Sequence, residues 1–191
     1  MEHNTKDLNI KDSRNIRDVL KFLPVEKIKE RYLEKPNPFG ILLANIEYDI
    51  NIGGIVRTAN NFRARQVFYY GRRKYNRVGA LGSYLYMDIQ YLPGIEGLLK
   101  STRDYTWVGV EQHNESTPLF EYQWPENPLL VFGNESTGFD LCPEVAHNVE
   151  HWVEIPSLGT IRSLNVAACA AITMYDYLYK KNICHDISST P

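Results

Sequence analysis

Short apolar runs alternate with amphipathic stretches along most of this chain. Six runs have the length and the β-branched or aromatic content of strands: FGILLANI (39–46), QVFYYG (66–71), IQYLP (89–93), TWVGVE (106–111), LLVFG (129–133) and WVEIP (152–156). Between several of them, IGGIVRTANNF, GIEGLLKSTRDY and RSLNVAACAAITMYDYLYKK carry helical patterns. Upstream, RNIRDVLKFL and VEKIKERYLEK predict two short helices separated at Pro24, whose ring removes a backbone donor. Strands alternating with helices predict an α/β domain with a mostly parallel sheet flanked by helices.

Composition adds bounds to this picture. A chain of 191 residues with 43% hydrophobic content can bury a substantial core as one domain. No apolar run approaches the length of a membrane span, and the start MEHNTKDLNIKDSRN lacks the apolar centre of a secretory signal, so a cytoplasmic location is expected. Cys142, Cys169 and Cys184 are never spaced C-x-x-C, which suggests neither a disulfide framework nor a zinc knuckle.

Charge changes the picture more. The net value of −2 argues against a nucleic-acid partner, but the distribution argues for one. Arg57, Arg63, Arg65, Arg72, Arg73, Lys74 and Arg77 fall in a 21-residue run without an acid, whereas the other 170 residues carry 14 basic and 23 acidic side chains. Phe62, Phe68, Tyr69, Tyr70 and Tyr75 interleave with the cations, as expected where phosphates meet basic groups and unpaired bases meet rings. The plainer alternative is a solvated basic face beside a core strand. The loop GRRKYNRVGALGSYLYMD is the candidate RNA-docking segment.

Three motifs suggest other chemistry and fail on detail. The stretch LLVFGNESTGFD spaces Gly133 and Gly138 as a P-loop does, yet Phe139 and Asp140 stand where Lys and Ser or Thr must contact phosphate and magnesium. No G-x-G-x-x-G occurs, and the paired glycines of NIGGIVR are followed by Arg57 rather than by bare backbone. HNVEH, residues 147–151, has the H-x-x-E-H pattern of some zinc proteases but leads straight into a strand, so surface or packing histidines are expected and no metal.

Together, NIGGIVRTANNF (51–62), LLVFGNESTGF (129–139) and IPSLGTIRSLNVAACAAITMYDYL (155–178) resemble, in order, the three signature motifs of the SpoU/TrmH-type RNA ribose 2′-O-methyltransferases. The resemblance implies a SPOUT fold with a deep trefoil knot near the C-terminus, over residues 39–181. A helical extension would precede it over residues 1–38, and a flexible tail would follow over residues 182–191. It implies S-adenosylmethionine as cofactor, held largely by backbone at Val110, Gly133, Ile155, Ser163 and Leu164. Glu135 would hold the cofactor's amino-acid part or brace its own loop. Arg57 would position a phosphate and stabilise the developing alkoxide, oriented with the ribose by Ser163 and Asn165. Asn51 would cap the helix that carries Arg57, with Gly53, Gly138 and Pro156 completing the motifs. The final helix would join a homodimer interface or serve as a core helix. The substrate would be RNA, tRNA before rRNA, and the alternative is a knotted RNA-binding protein without catalysis.

Overall fold

The computed structural model describes residues 12–71 and 76–183; Arg72, Arg73, Lys74, Tyr75 and Cys184 lie outside the described residues. Seven strands form one sheet: β1 (Asn37–Ala44), β2 (Ala64–Tyr70), β3 (Ile89–Leu92), β4 (Thr106–Val110), β5 (Thr117–Pro118), β6 (Pro128–Phe132) and β7 (His151–Glu154). Their order is β3-β2-β1-β6-β4-β7-β5, and each pairing is parallel. The helices are α1 (Val25–Glu34), α2 (Asp49–Asn61), α3 (Ile95–Ser101), α4 (Pro143–Ala146) and α5 (Val166–Lys180).

A parallel sheet covered on both faces needs strands that are apolar throughout, and β1 and β6 have that character. Phe39, Ile41 and Leu43 of β1 share a core with Ile55, Val56 and Ala59 of α2 and with Ala170, Met174 and Tyr177 of α5. Leu42 and Ala44 point the other way, joining Leu129 and Val131 of β6, Leu98 of α3 and Val145 of α4. The result is three layers, with α2 and α5 on one side of the sheet and α3 and α4 on the other. α1 docks on the α2 side, where the Tyr32 hydroxyl donates to the carbonyls of Ala59 (3.3 Å) and Ala64 (2.8 Å).

All six expected strands are present, with ends within two residues of those read from the pattern. β5 was not expected, because two residues carry no periodicity. The first expected helix is a correction: RNIRDVLKFL forms only a 3-10 turn at Asp18–Leu20. Val19 and Phe22 are exposed there, so no apolar face is buried to offset the cost of helix nucleation. The last helix starts at Val166 rather than Arg162, because the Asn165 side chain accepts from the N–H groups of Ala167 and Ala168 and sets the N-cap. His147 ends α4 while His151 opens β7, so HNVEH does not present two imidazoles on one helical face. Among the described residues, no helix is long and apolar enough to cross a membrane.

Candidate cofactor cleft and active site

Parallel strands deliver their carboxyl ends to one edge, and ligands of open α/β sheets bind along that edge. A cleft of about 310 Å³ opens there. Its walls are Val110–Gln112 after β4, Phe132–Glu135 after β6, Ile155 after β7, and Ser163–Val166 with Cys169 at the start of α5. Tyr48 and Asn51 close it from α2. Val110, Gly133, Glu135, Ile155, Ser163 and Leu164, the residues tied to cofactor by the motif resemblance, all line this one space.

The loop after β6 is held tightly by its own backbone. Asn134 and Gly138 exchange two N–H···O bonds of 2.8 and 2.9 Å. The Asn134 side-chain oxygen accepts from the N–H groups of Ser136 and Thr137, and its amide nitrogen donates to the Asn45 carbonyl. Both glycines are required by this shape. A Cβ on Gly133 would lie 2.7 Å from the carbonyl group of Gly138, and Gly138 itself has φ +57°. Gly53 has a different reason, since its bare Cα lets α2 rest on the backbone of Gly79 and Ala80.

A polar relay ties the three motifs together. The Glu135 carboxylate accepts from the backbone N–H of Glu47 (2.7 Å) and Tyr48 (3.2 Å) and from Asn51 Nδ2 (2.7 Å). It therefore occupies the N-terminus of α2, where N–H groups lack helical partners and the helix dipole favours an anion. Because a carboxylate only accepts, Asn51 must present its nitrogen to Glu135 and its oxygen elsewhere. That oxygen takes the Nδ2 proton of Asn165 at 2.9 Å, which leaves Asn165 Oδ1 to cap α5. Two expectations are corrected. Asn51 is not the N-cap of α2; that position is Tyr48, and the carboxylate comes from the distant loop. Asn165 bonds Asn51 and its own helix, with no hydrogen bond to Arg57.

Electrostatically the cleft is one-sided. Glu111 and Glu135 line it, and among the described residues no Lys or Arg does. Burial raises the Cys169 thiol above its ordinary range, so that wall stays neutral. Glu111, Gln112 and Asn134 were missed by the sequence reading, although Glu111 directly follows Val110. Gln112 matters because its amide donates to the Arg162 carbonyl at 2.6 Å, fastening the 155–165 segment across the cleft mouth.

The basic residues separate into distinct settings. Arg57 is exposed on α2, outside the cleft lining, one turn beyond Gly54, where the helix meets Ala167 of α5. Arg63 donates to the carbonyls of Arg31 and Tyr32 at the end of α1. Arg65 lies at the opening of β2, the sheet edge opposite the cleft, with its guanidinium 5.9 Å from the Tyr105 ring centroid. Arg77 stacks on Tyr84 at 4.8 Å. Pro156 is exposed where the chain leaves β7.

With this geometry in hand, relatives can be compared. Residues 38–175 match the model of the SpoU rRNA Methylase family, and the chain belongs to that family. It is 31% identical over 152 residues to the mouse tRNA (guanosine(18)-2'-O)-methyltransferase TARBP1, covering 72% of this chain but only 9% of that protein. Among solved structures, the A. aeolicus TrmH/SpoU tRNA modifying enzyme superposes with a TM-score of 0.71 at 23% identity, covering 84% of each chain. The SpoU methyltransferase AviRb from Streptomyces viridochromogenes, solved in complex with AdoMet, superposes at 0.70 and 22% identity, over 81% of this chain and 64% of that one. These likenesses establish the SpoU/TrmH form of the SPOUT fold.

Proposed function

We propose that the chain transfers the methyl group of S-adenosylmethionine to a ribose 2′-hydroxyl of RNA, tRNA being the first substrate class to test and rRNA the second. The observation that carries this reading is the cleft's chemistry: a space of mixed polar and apolar lining with two carboxylates and, among the described residues, no cation, walled by residues of all three motifs. Such a site favours a ligand bearing a sulfonium and an ammonium, and it disfavours the phosphates of NAD or ATP. Val110, Ile155 and Leu164 offer apolar surface for an adenosine, and the backbone around Gly133 and Ser163 offers polar groups to fix it. When bound, the cofactor would supply a methyl group on positively charged sulfur, which leaves as a neutral thioether; the ribose 2′-oxygen would take the methyl and give its proton to water.

Arg57 is proposed to hold a phosphate beside the reacting hydroxyl and to stabilise the alkoxide with its two-pronged donor edge. Ser163, in the cleft wall, would meet the ribose or cofactor, while Glu135, Asn51 and Asn165 position the walls. A second copy is proposed to cover the outer face of α5, where Ile172, Tyr175 and Tyr179 are exposed at helical spacing. Arg57 shares that side of the molecule, so association would bring it into an enclosed setting. The knotted threading and the cytoplasmic location are carried forward as part of this proposal.

The test is single-turnover transfer of labelled methyl to tRNA and to rRNA, with ribose-methylation mapping and calorimetry of cofactor binding for wild type, Arg57→Ala and Arg57→Lys. Transfer should fall on the order of a hundredfold in Arg57→Ala, with poor rescue by Lys and unchanged cofactor affinity. Label on a base, or near-normal transfer by Arg57→Ala, would overturn the assignment.

A further inference from the structure

A second concavity, of about 290 Å³, lies where α1 and the turn Arg77–Ala80 meet the β2–β3 edge of the sheet. Its apolar part is Met87, which is buried, Ile89 at the start of β3, and the exposed Leu85. Tyr69 and Tyr84 supply aromatic walls, and Lys29 and Arg77 supply charge at the rim. Tyr69 is itself paired with the ring of Tyr91 at 5.1 Å.

We propose that this pocket receives one unpaired nucleotide of the RNA substrate, at a distance from the nucleotide that is methylated. The proposal rests on the RNA reading above and adds a second contact point to it. Three observations support it. Among the described residues, neither Lys29 nor Arg77 is paired with a carboxylate, although Lys27, two positions before Lys29 on α1, is paired with Glu30. The Arg77 guanidinium carbon lies over the Tyr84 ring, 4.8 Å from its centroid, a cation–π contact that can be kept while N–H groups of the guanidinium meet a phosphate. A volume just under the range of drug-sized pockets suits a single planar ring, not a longer ligand.

Placement favours a nucleotide within a chain over a free one. Two strands, β1 and β2, lie between β6, which carries the cofactor loop, and β3 at the pocket. Roughly three inter-strand spacings, ~14 Å, therefore separate the two sites, a span that a few nucleotides of extended RNA can bridge. α2 lies between them and carries Arg57, and its Gly53 rests directly on the pocket's own turn at Gly79 and Ala80. A strand running from the pocket to the cleft would cross the face that carries Arg57.

The experiment measures binding of the full chain to a fluorescent oligouridylate of about ten nucleotides and to a blunt RNA duplex of equal length, across a salt series. Tyr84→Ala should weaken oligouridylate binding about tenfold through lost stacking, while Tyr84→Phe retains it. The Lys29→Ala, Arg77→Ala double variant should flatten the slope of log affinity against log salt by about 1.4, the value for two single-strand phosphates. The double variant changes side chains that reach solvent, so it tests the proposal even if Tyr84→Ala fails to fold. Duplex binding should change less, and uridine monophosphate should not displace the oligomer.

Wild-type affinity and slope in these variants would overturn the pocket while leaving the methyltransferase reading intact. Displacement by uridine monophosphate at matched nucleotide concentration would make it a free-nucleotide site and overturn the proposal. If wild type binds S-adenosylmethionine but neither RNA probe, the RNA reading itself falls and the pocket falls with it.

Discussion

Removing the middle of the Glu135–Asn51–Asn165 relay should have a cost that can be worked from its bonds. Asn51→Ala deletes a charge-assisted bond to Glu135 at 2.7 Å and a neutral bond from Asn165 at 2.9 Å. Glu135 keeps two backbone donors, and Asn165 is open to water, so neither is left stranded. The charge-assisted bond contributes about 2 kcal/mol, and the neutral one contributes less than about 1 kcal/mol because water can replace it. A total near 2.5 kcal/mol corresponds to a fall in melting temperature of roughly 5–10 °C for a chain of this size. Asn165→Ala removes the same neutral bond and also the α5 cap, about 1 kcal/mol on its own. Because one bond is common to both changes, the double variant should be less destabilised than the sum by several tenths to about 1 kcal/mol. Urea denaturation of the four proteins measures this cycle directly. Strict additivity would refute the relay, as would an unchanged midpoint for Asn51→Ala.

Gly133→Ala places a methyl group 2.7 Å from the Gly138 backbone, so the loop must open; S-adenosylmethionine affinity measured by calorimetry should fall at least about tenfold, and normal affinity would contradict the loop geometry. Burial pushes the Cys142 thiol up to about 11, so at pH 8 only about one molecule in a thousand carries the thiolate. Iodoacetamide with peptide mapping should find Cys142 protected until denaturant is added. Burial also raises the phenols of Tyr122 and Tyr177 to about 12, above an unfolded value near 10. The folded state thus keeps protons that the unfolded chain releases, so stability is intact below pH 10 and declines as pH rises toward 12. Urea midpoints at pH 8 and 11 should show the fall, and equal midpoints would refute it.

Six of the seven strands were legible because each is a local run of apolar residues in a sheet covered on both faces; the two-residue β5 has no such run. α5 was legible as a helix, while its start was marked only by Asn165, a cap residue embedded in a polar stretch. The relay was illegible for a different reason: Glu135 and Asn165 stand 84 and 114 positions from Asn51, so no local window of sequence contains a bonded pair. Asn51 has the composition of an N-cap and sits before a helical pattern, yet tertiary structure brings a carboxylate to that helix end instead. The basic run illustrates a similar limit. Counting charges could not separate Arg63, occupied with α1 carbonyls, from Arg77, which faces an aromatic pocket.

The placement of α5 after β6 in the order of synthesis gives the cleft a biosynthetic threshold. A ribosome releases the β6 loop and Glu135 well before the Ser163–Val166 segment that forms the last wall. At about 5–20 residues per second, the intervening thirty residues take on the order of seconds to appear. During that interval Asn51 has a donor's partner but not an acceptor's, and the space beside Gly133 lacks one side. On the proposed assignment of this cleft to the cofactor, a nascent chain should gain cofactor affinity only when the closing helix docks, so that binding would report completion of the fold.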